Sequence, residues 1–240
     1  MELRDKVVIV TGGAQGLGEA ICYSLAEAGA IPIIADLRLE LAEQVAQKCT
    51  ATGGEAIAMQ LDVSNPEQVR TVVEEVLKKY GRVNGLINNA GTDLTISIEE
   101  MPVEEWERII AVNLNGPFLM SKAVFTQMKQ QGGGHIINIA STAAKRAWPN
   151  ASAYHASKWG LLGFSHALHV EGRPHNVKVT ALVAGGMRTP FLLERFPDID
   201  LSTLQDPQNV AKTVVYLLTQ PEETVIAEMM VLPLKESSWP

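Results

Sequence analysis

The sequence predicts an α/β domain whose doubly wound, parallel sheet of seven strands is flanked by helices. Short apolar runs such as KVVIV at residues 6–10 alternate with longer segments of helical apolar spacing. This alternation is typical of βαβ units, in which helices cover both faces of the strands. A glycine-rich stretch, TGGAQGLG at 11–18, separates the first strand from the first helix. We expect residues 1–240 to form one domain.

The remaining elements follow in order along the chain. Strands are predicted at 6–10, 31–35, 55–61, 83–88, 135–140, 177–183 and 225–231. Helices are predicted at 19–29, after Asp36 to about residue 52, at 66–80, in two stretches within 102–131, at 151–172 and at 206–219. Asn65 or Ser64 is suited to cap the third helix, with Pro66 in its first turn. The long irregular segment at 185–205 is predicted to form a flap over a site.

Composition limits the classes of partner. The net charge of −7 disfavours nucleic acid and anionic membrane surfaces. No run of 18 apolar residues occurs and no signal-peptide pattern opens the chain, so we expect no membrane span. Cys22 and Cys49 are expected to be reduced thiols in the cytoplasm, a disulfide being the alternative, and no metal site is expected.

Three polar residues follow the fifth predicted strand. Ser141 comes at the end of the strand, whereas Tyr154 and Lys158 lie four residues apart and share a helix face. Lowering a phenol pKa from about 10 to about 7 takes roughly 4 kcal/mol. A lysine ammonium about 4 Å away supplies an energy of that order. The set predicts proton transfer to or from an alcohol or carbonyl oxygen held by Ser141, although a surface Tyr-x-x-x-Lys pair is the alternative.

The glycine-rich loop predicts a phosphate site. Glycines at 12, 16 and 18 permit a tight turn, close approach of a pyrophosphate and close helix packing, with the helix N-terminus facing the phosphates. Asp36 ends the next strand, where a carboxylate accepts hydrogen bonds from a ribose and repels a 2′-phosphate. A helix cap is its alternative role. The sequence therefore predicts NAD, with NADP less favoured, although Arg38 could pair with a 2′-phosphate.

Three motifs occur in order: TGGAQGLG at 11–18, NNAG at 88–91, and Ser141 followed by YHASK at 154–158. Together they resemble the short-chain dehydrogenase/reductase family over about residues 5–232. The resemblance implies a single Rossmann-like domain with a seven-stranded parallel sheet. It also implies hydride transfer between NAD(P) and an alcohol or carbonyl group.

The resemblance implies roles for individual residues. Tyr154 is the expected general acid/base, Lys158 lowers its pKa and binds the nicotinamide ribose, and Ser141 holds the substrate oxygen. Asn113 matches a helix asparagine that supports a proton-relay water, and Thr189 matches a threonine that reaches the nicotinamide amide. The residues expected to bind the cofactor are Gly12, Gln15, Gly16, Leu17, Gly18, Asp36, Leu37, Asp62, Val63, Asn89, Ala90, Gly91, Tyr154, Lys158, Gly185, Met187 and Thr189.

Alternatives remain for several of these residues. Asn113 could be a buried structural amide or mark a kink, Asp62 could cap a loop, and NNAG could tie two strands together. The chain also departs from the family pattern, because Ala184-Gly185 replaces the usual Pro-Gly and the C-terminal segment lacks the common glycine-rich ending.

The leading functional prediction is an NAD(H)-dependent oxidoreductase that interconverts a secondary alcohol and a ketone. The alternatives are an NADPH-dependent 3-oxoacyl reductase of fatty-acid type and a non-catalytic nucleotide-sensing protein on the same fold. Apolar residues on more than one face of the helices at 102–131 and 151–172, together with the resemblance, predict a homodimer or homotetramer.

The expected substrate is a neutral, mostly apolar alcohol or carbonyl compound. Its pocket is predicted from residues before Tyr154 and on the flap: Ala143, Ala144, Trp148, Asn150, Gly186, Met187, Phe191, Leu192 and Phe196. Arg146 and Arg188 could anchor a carboxylate or phosphate, a solvated surface position being the alternative for each.

Overall fold

A computed structural model describes residues 3–51 and 53–236. The strands are β1 (Val7–Thr11), β2 (Ile31–Asp36), β3 (Ile57–Gln60), β4 (Gly85–Asn88), β5 (Gly134–Ser141), β6 (Val177–Ala184) and β7 (Glu228–Val231). The helices are α1 (Gly16–Glu27), α2 (Leu39–Thr50), α3 (Pro66–Tyr80), α4 (Val103–Ile110), α5 (Gly116–Gln130), α6 (Ser152–Gly172), α7 (Pro190–Leu193) and α8 (Pro207–Leu218). A π-helical turn, Ala111–Asn115, joins α4 to α5, and short 3-10 turns cover Thr142–Ala144, Arg173–His175 and Leu201–Thr203.

The strands form one parallel sheet in the order β3-β2-β1-β4-β5-β6-β7. The chain winds outward from β1 in one direction and from β4 in the other, so the strand order reverses between these two strands. Val10 is level with Ile34 and Ile87 in the sheet register. The loops that follow β1, β2 and β4 therefore leave the sheet at the same edge and open a crevice there. The predicted doubly wound α/β fold is confirmed.

Two apolar cores pack on the two faces of the sheet. Helices α1, α2 and α8 cover one face through buried residues such as Ile21, Val45 and Val214. Helices α3, α5 and α6 cover the other face through residues such as Val76 and Met128. Every residue of β1 is buried, which explains why its sequence is a continuous apolar run and not an alternating one.

Local sequence signals fix the ends of α3. The Asn65 side chain accepts hydrogen bonds from the backbone amides of Glu67 and Gln68, and Pro66 occupies the first turn. Gly81 ends the helix in the left-handed conformation at φ 70°. The predicted Asn65 cap is confirmed, and this glycine suits the left-handed C-terminal position because it has no Cβ.

Several predicted boundaries are wrong by a few residues. Helix α1 begins at Gly16 and ends at Glu27, because the extended Gln15 is its N-cap and the second half of the glycine motif already forms its first turn. Strands β3, β4 and β7 are shorter than predicted. Val83, for example, is buried, but its amide binds the Gln131 side chain and not a strand. Helix α2 ends at Thr50, and the predicted end near residue 52 lies at an undescribed position.

One helical stretch within the described residues, Val103–Gln130, is long and apolar enough to cross a membrane. Its most apolar window has a mean hydropathy of 1.2 and is 39% buried. Length and composition do not distinguish a membrane helix from a core helix. Here Met120, Val124 and Met128 of α5 pack into the core against the sheet.

Candidate active site

A cleft of about 650 Å³ opens at the carboxyl edge of the sheet, where the strand order reverses. Ser141, Tyr154 and Lys158 line this cleft together with the residues predicted to bind a cofactor, apart from Gly18. Asn113 also lies outside the lining. Among the described residues, no three His, Cys, Asp or Glu side chains come together as a metal site. Cys22 and Cys49 are buried and no disulfide joins them.

The glycine loop forms a backbone cradle at the start of α1. Gly12 and Gly16 adopt positive φ angles of 62° and 58°, which L side chains rarely adopt. A Cβ on Gly18 would lie 2.0 Å from the Gly12 carbonyl oxygen. Gly18 therefore acts by letting α1 pack against the loop, whereas Gly12 and Gly16 face the cleft. The open cradle at a helix N-terminus fits a pyrophosphate.

Asp36 anchors this loop to the end of β2. One carboxylate oxygen accepts a hydrogen bond from the Ala14 amide at 3.0 Å, and the other accepts one from the Arg38 amide at 3.0 Å. The Arg38 Nε atom lies 3.7 Å from the same carboxylate. The carboxylate lines the cleft, where it can also accept hydrogen bonds from ribose hydroxyls. Leu37, beside it, is 63% exposed and also lines the cleft.

Asp62 and Asn89 line the cleft as predicted, and each also makes the structural contacts that were its alternative role. Asp62 accepts hydrogen bonds from the Ser64 amide and hydroxyl at 2.9 and 2.6 Å, so it caps its own loop. The Asn89 side chain donates to the carbonyl oxygens of Thr11 and Gly12, both at 3.0 Å. Asn89 therefore ties the loops after β1 and β4, while its neighbours Ala90 and Gly91 line the cleft.

Ser141, Tyr154 and Lys158 meet at the end of β5. The Ser141 hydroxyl accepts a hydrogen bond from the Ala143 amide at 3.1 Å, and it lowers the pKa of the Tyr154 phenol. Lys158 Nζ lies 5.6 Å from the centre of the Tyr154 ring and donates to the Ile139 carbonyl at 2.9 Å. The three groups can therefore address one substrate oxygen at the carboxyl edge of the sheet.

The electrostatics of this set differ from the expectation. Burial raises the pKa of Tyr154 to about 12; the Ser141 hydrogen bond and Arg195 lower that pKa, and the Asp93 carboxylate raises it. Burial lowers the pKa of Lys158 to about 8, against the attraction of Asp93. Burial is the largest cause of the raised Tyr154 pKa. The Lys158 ammonium donates to the Ile139 carbonyl. A phenol of raised pKa carries its proton at neutral pH.

Asn113 sits in the π-helical turn between α4 and α5, fully buried. Its side-chain oxygen accepts a hydrogen bond from the Thr92 amide at 2.8 Å. Its amide nitrogen donates to the Thr92 carbonyl at 2.8 Å and to Ser157 Oγ at 3.1 Å. The Asn113 side chain thus clamps the segment after β4 to α6. This is the role of a buried structural amide, which was its alternative to a catalytic role. Nothing in these contacts tests the proton-relay role.

Ala184, which stands where the family usually has proline, ends β6, and the two glycines after it are held by hydrogen bonds. The Gly185 amide donates to the Val231 carbonyl at 2.9 Å, and Glu236 accepts a hydrogen bond from the Gly186 amide at 2.9 Å. A Cβ on Gly185 would lie 2.7 Å from the Glu236 carboxylate. The segment that follows β7 therefore closes one wall of the cleft, which the sequence did not predict. Thr189 is buried and precedes α7.

The residues predicted to form the substrate walls lie only partly in the cleft. Trp148, Gly186, Met187, Phe191, Leu192 and Phe196 line the cleft, whereas Ala143, Ala144 and Asn150 do not. Ala143 and Ala144 are fully buried, and Asn150 is exposed outside the cleft. Neither predicted arginine lines the cleft. Arg188 donates to the Leu204 carbonyl at 2.7 Å and lies 3.7 Å from Asp206.

The sequence missed a charged pair that does line the cleft. Asp93 follows the NNAG motif, and Arg195 lies in the flap. The Arg195 Nη1 atom is 2.7 Å from Asp93 Oδ2, and its guanidinium lies 3.7 Å from the centre of the Phe191 ring. The Phe191 ring is in turn 6.0 Å from that of Tyr154. The position of Asp93 two residues after the NNAG motif was the available signal, but nothing in the sequence connects it to Arg195.

Comparisons with known proteins agree with this geometry. A family model described as short chain dehydrogenase matches residues 6–200. An uncharacterized oxidoreductase of Bacillus subtilis, YxjF, is 37% identical over 90% of this chain and 84% of its own length. The 3-oxoacyl-[acyl-carrier-protein] reductase FabG of Thermotoga maritima is 30% identical over 96% of this chain and 97% of its own. A metagenomic short-chain oxidoreductase, solved in complex with NADP, is 32% identical with a TM-score of 0.87 over 97% of this chain and 99% of its own.

Proposed function

Because the chain belongs to the short-chain dehydrogenase/reductase family of NAD(P)-dependent oxidoreductases acting on CH–OH groups, we propose that it interconverts a secondary alcohol and a ketone. The observation that carries this proposal is that Ser141, Tyr154 and Lys158 line one dinucleotide-sized cleft. When bound, the nicotinamide ring accepts or supplies the hydride. The glycine cradle and Asp36 would hold the adenosine end, and Gly185, Met187 and Thr189 would face the nicotinamide end.

The three side chains divide the proton chemistry between them. Tyr154, whose raised pKa keeps it protonated at neutral pH, would donate its proton to a carbonyl oxygen during reduction. Ser141 lowers the pKa of the phenol and would hold the same substrate oxygen. The reverse reaction needs the phenolate, and a positive charge beside the phenol lowers the pKa of that phenol. We assign Lys158 the tasks of supplying that charge and of binding the nicotinamide ribose.

We further propose that NAD is preferred over NADP. Asp36 and Leu37 would lie beside the adenosine ribose. Asp36 is acidic and Leu37 is apolar, so neither offers a positive charge to a 2′-phosphate. Arg38 is the competing consideration, because its side chain is about half exposed and lies near the Asp36 carboxylate. The structural neighbour in complex with NADP gives no support to this preference, so cofactor kinetics must decide it.

The experiment that tests the proposal is a panel of alcohols and ketones assayed with all four cofactor forms by absorbance of the reduced nicotinamide. A second candidate, a 3-oxoacyl reductase, is favoured by the Thermotoga relative, so an acetoacetyl thioester belongs in the panel. Turnover of simple secondary alcohols or ketones supports the proposal. Turnover of the thioester alone, with NADPH, identifies the second candidate. No turnover of any compound rejects both.

We propose that the protein is a homodimer or homotetramer of the cytoplasm. Large apolar side chains remain exposed on α5 and α6, with Phe118 45%, Trp159 52% and Val170 56% accessible. Pairing of these helices between subunits would bury them. A monomer by light scattering at micromolar concentration would reject this assembly. The buried cysteine thiols suit a reducing compartment.

A further inference from the structure

His155 is a buried polar residue to which the proposed proton chemistry gives no task. It follows Tyr154 directly on α6 and is only 8% exposed. It does not line the cleft, so any effect on a substrate must pass through other residues. Both of its ring nitrogens nevertheless meet the backbone of the loop after β5. Nδ1 lies 2.9 Å from the Ala143 carbonyl oxygen, and Nε2 lies 3.1 Å from the Trp148 amide nitrogen.

The chemistry of these two backbone partners fixes the position of the His155 proton. A carbonyl oxygen only accepts, so Nδ1 must carry a hydrogen and donate it. A backbone amide only donates, so Nε2 must present its lone pair. The ring is therefore neutral with its hydrogen on Nδ1. Neither the other neutral tautomer nor the protonated ring can form both bonds.

The contact with Ala143 leads to the expected substrate-holding hydroxyl. Ala143 is fully buried in the 3-10 turn Thr142–Ala144, which directly follows β5. Its amide donates to the Ser141 hydroxyl oxygen at 3.1 Å, while its carbonyl accepts the bond from His155. A single residue therefore connects the imidazole to Ser141.

The contact with Trp148 leads to a wall of the cleft. Trp148 lines the cleft and is 37% exposed. The ring centres of Trp148 and His155 lie 4.3 Å apart with an angle of 72° between their planes, an edge-to-face contact. His155 therefore holds Trp148 both at its backbone amide and at its indole ring.

We propose that His155 is a positioning residue that sets the size selectivity of the cleft by holding Trp148 and Ser141 in place relative to Tyr154. Because His155 and Tyr154 are consecutive residues of one helix, the wall and the expected acid/base are aligned by the same element. This inference rests on the proposed alcohol–ketone chemistry and names a residue that determines which substrates reach it. A displacement of about 1 Å in a positioning group can reduce activity by about a hundredfold.

A purely structural role is the competing explanation. Removal of the imidazole leaves the Trp148 amide and the Ala143 carbonyl without these partners, which lowers stability in either case. A loss of stability alone affects every ketone alike. A positioning role instead changes the ratio between a bulky and a small ketone, because the bulky ketone contacts more of the wall. That change must also disappear when the Trp148 side chain is absent.

The test is a double-mutant cycle on acetophenone and methyl ethyl ketone with the wild type, His155→Leu, Trp148→Ala and the double variant. The readout is the ratio of kcat/KM for the two ketones within each protein. We expect His155→Leu to change this ratio by about threefold or more, in the same direction as Trp148→Ala. Once Trp148 is alanine, replacing His155 should change the ratio by less than about twofold. The matched control His169→Leu replaces a half-buried histidine of α6 outside the cleft lining and should keep the wild-type ratio.

Neutron diffraction from crystals of the deuterated wild-type protein tests the same inference without requiring a variant to fold. We expect deuterium on His155 Nδ1 and none on Nε2. Deuterium on Nε2 would overturn the inference, because the ring could not then accept the Trp148 amide.

The outcomes of the cycle separate this inference from the proposed function. An unchanged ratio in a folded His155→Leu protein, or an equal change with and without the Trp148 side chain, overturns the inference. If the wild type turns over neither these ketones nor any compound of the panel, the proposed reaction is rejected. The ratio of the Kd values of the two ketones, followed by NADH fluorescence, then replaces kcat/KM. A shift confined to proteins that retain Trp148 supports the positioning role, whereas no shift, or no binding of either ketone, overturns it.

Discussion

Replacing Gly18 with alanine tests how the glycine loop and α1 hold the cofactor. The added Cβ would lie 2.0 Å from the Gly12 carbonyl oxygen and 2.7 Å from Asn89 Nδ2, whereas real Cβ contacts below 3.0 Å essentially do not occur. The loop or the helix must therefore move by about 1 Å or more, and overpacking of this kind costs about 1–3 kcal/mol. The movement also threatens the hydrogen bond from Asn89 to Gly12, a further contribution of about 1 kcal/mol.

The expected consequence is a weaker cofactor site. A displacement of about 1 Å in a binding loop can reduce activity by about a hundredfold. We expect Gly18→Ala to raise the Kd of the dinucleotide by at least about tenfold, which corresponds to about 1.4 kcal/mol. Fluorescence titration with NADH measures the affinity, and thermal denaturation measures the stability of the same protein.

Gly163→Ala is the matched control. Gly163 is also a helical glycine, on α6, but apart from its chain neighbours and the nearby backbone of its own helix no atom lies within 4 Å of its added Cβ. Alanine is a better helix former than glycine and Gly163 does not line the cleft, so this variant should leave cofactor affinity unchanged. A folded Gly18→Ala protein that binds the dinucleotide as tightly as the wild type would refute the close-packing argument.

Three further predictions address individual side chains. Asp36→Asn keeps an acceptor for the Ala14 amide but removes the charge, so the ratio of kcat/KM for NAD over NADP should fall by about tenfold; equal efficiencies in the wild type would contradict the preference. Asn113→Ala should lower the free energy of unfolding in urea by at least about 2 kcal/mol, because both Thr92 backbone groups lose a partner; a loss under about 0.5 kcal/mol would contradict the clamp. Lys158 has a folded-state pKa of about 8 against an ordinary value of 10.5, so its burial disfavours the folded state below pH 8 and this cost disappears as pH rises toward 10.5. Lys158→Met should therefore be inactive, yet near pH 7 its free energy of unfolding should exceed that of the wild type by up to about 3 kcal/mol. Thermal melts at several pH values should show this gain shrinking as the pH rises. A difference in stability that does not depend on pH would contradict the lowered Lys158 pKa.

The sequence predicted the fold well because its signals are local. The continuous apolar run of β1 and the Asn65 cap of α3 each depend on neighbouring residues, and both are confirmed. The start of α1 was misplaced because glycines that normally mark a turn here occupy the first turn of the helix.

The candidate site was predicted less completely, since part of it depends on contacts between distant segments. The placement of Ser141, Tyr154 and Lys158 in one cleft agrees with the motif spacing. The hydrogen bond from Lys158 to Ile139 and the pair between Asp93 and Arg195 join segments far apart in sequence, and no spacing or periodicity marks them. The raised pKa of Tyr154 likewise follows from burial in the folded cleft, which residue types alone do not specify.

The central claim is that the Tyr154 hydroxyl carries the proton in alcohol–carbonyl interconversion, and the Tyr154→Phe variant tests it most directly. Phenylalanine retains the ring that packs near Phe191 and removes only the hydroxyl. On the best substrate of the panel we expect kcat to fall by roughly a hundredfold to ten-thousandfold, while the Kd for NADH changes by less than about threefold. A variant that keeps more than about a tenth of the wild-type kcat, where chemistry limits the rate, would contradict the assignment of Tyr154 as the acid/base.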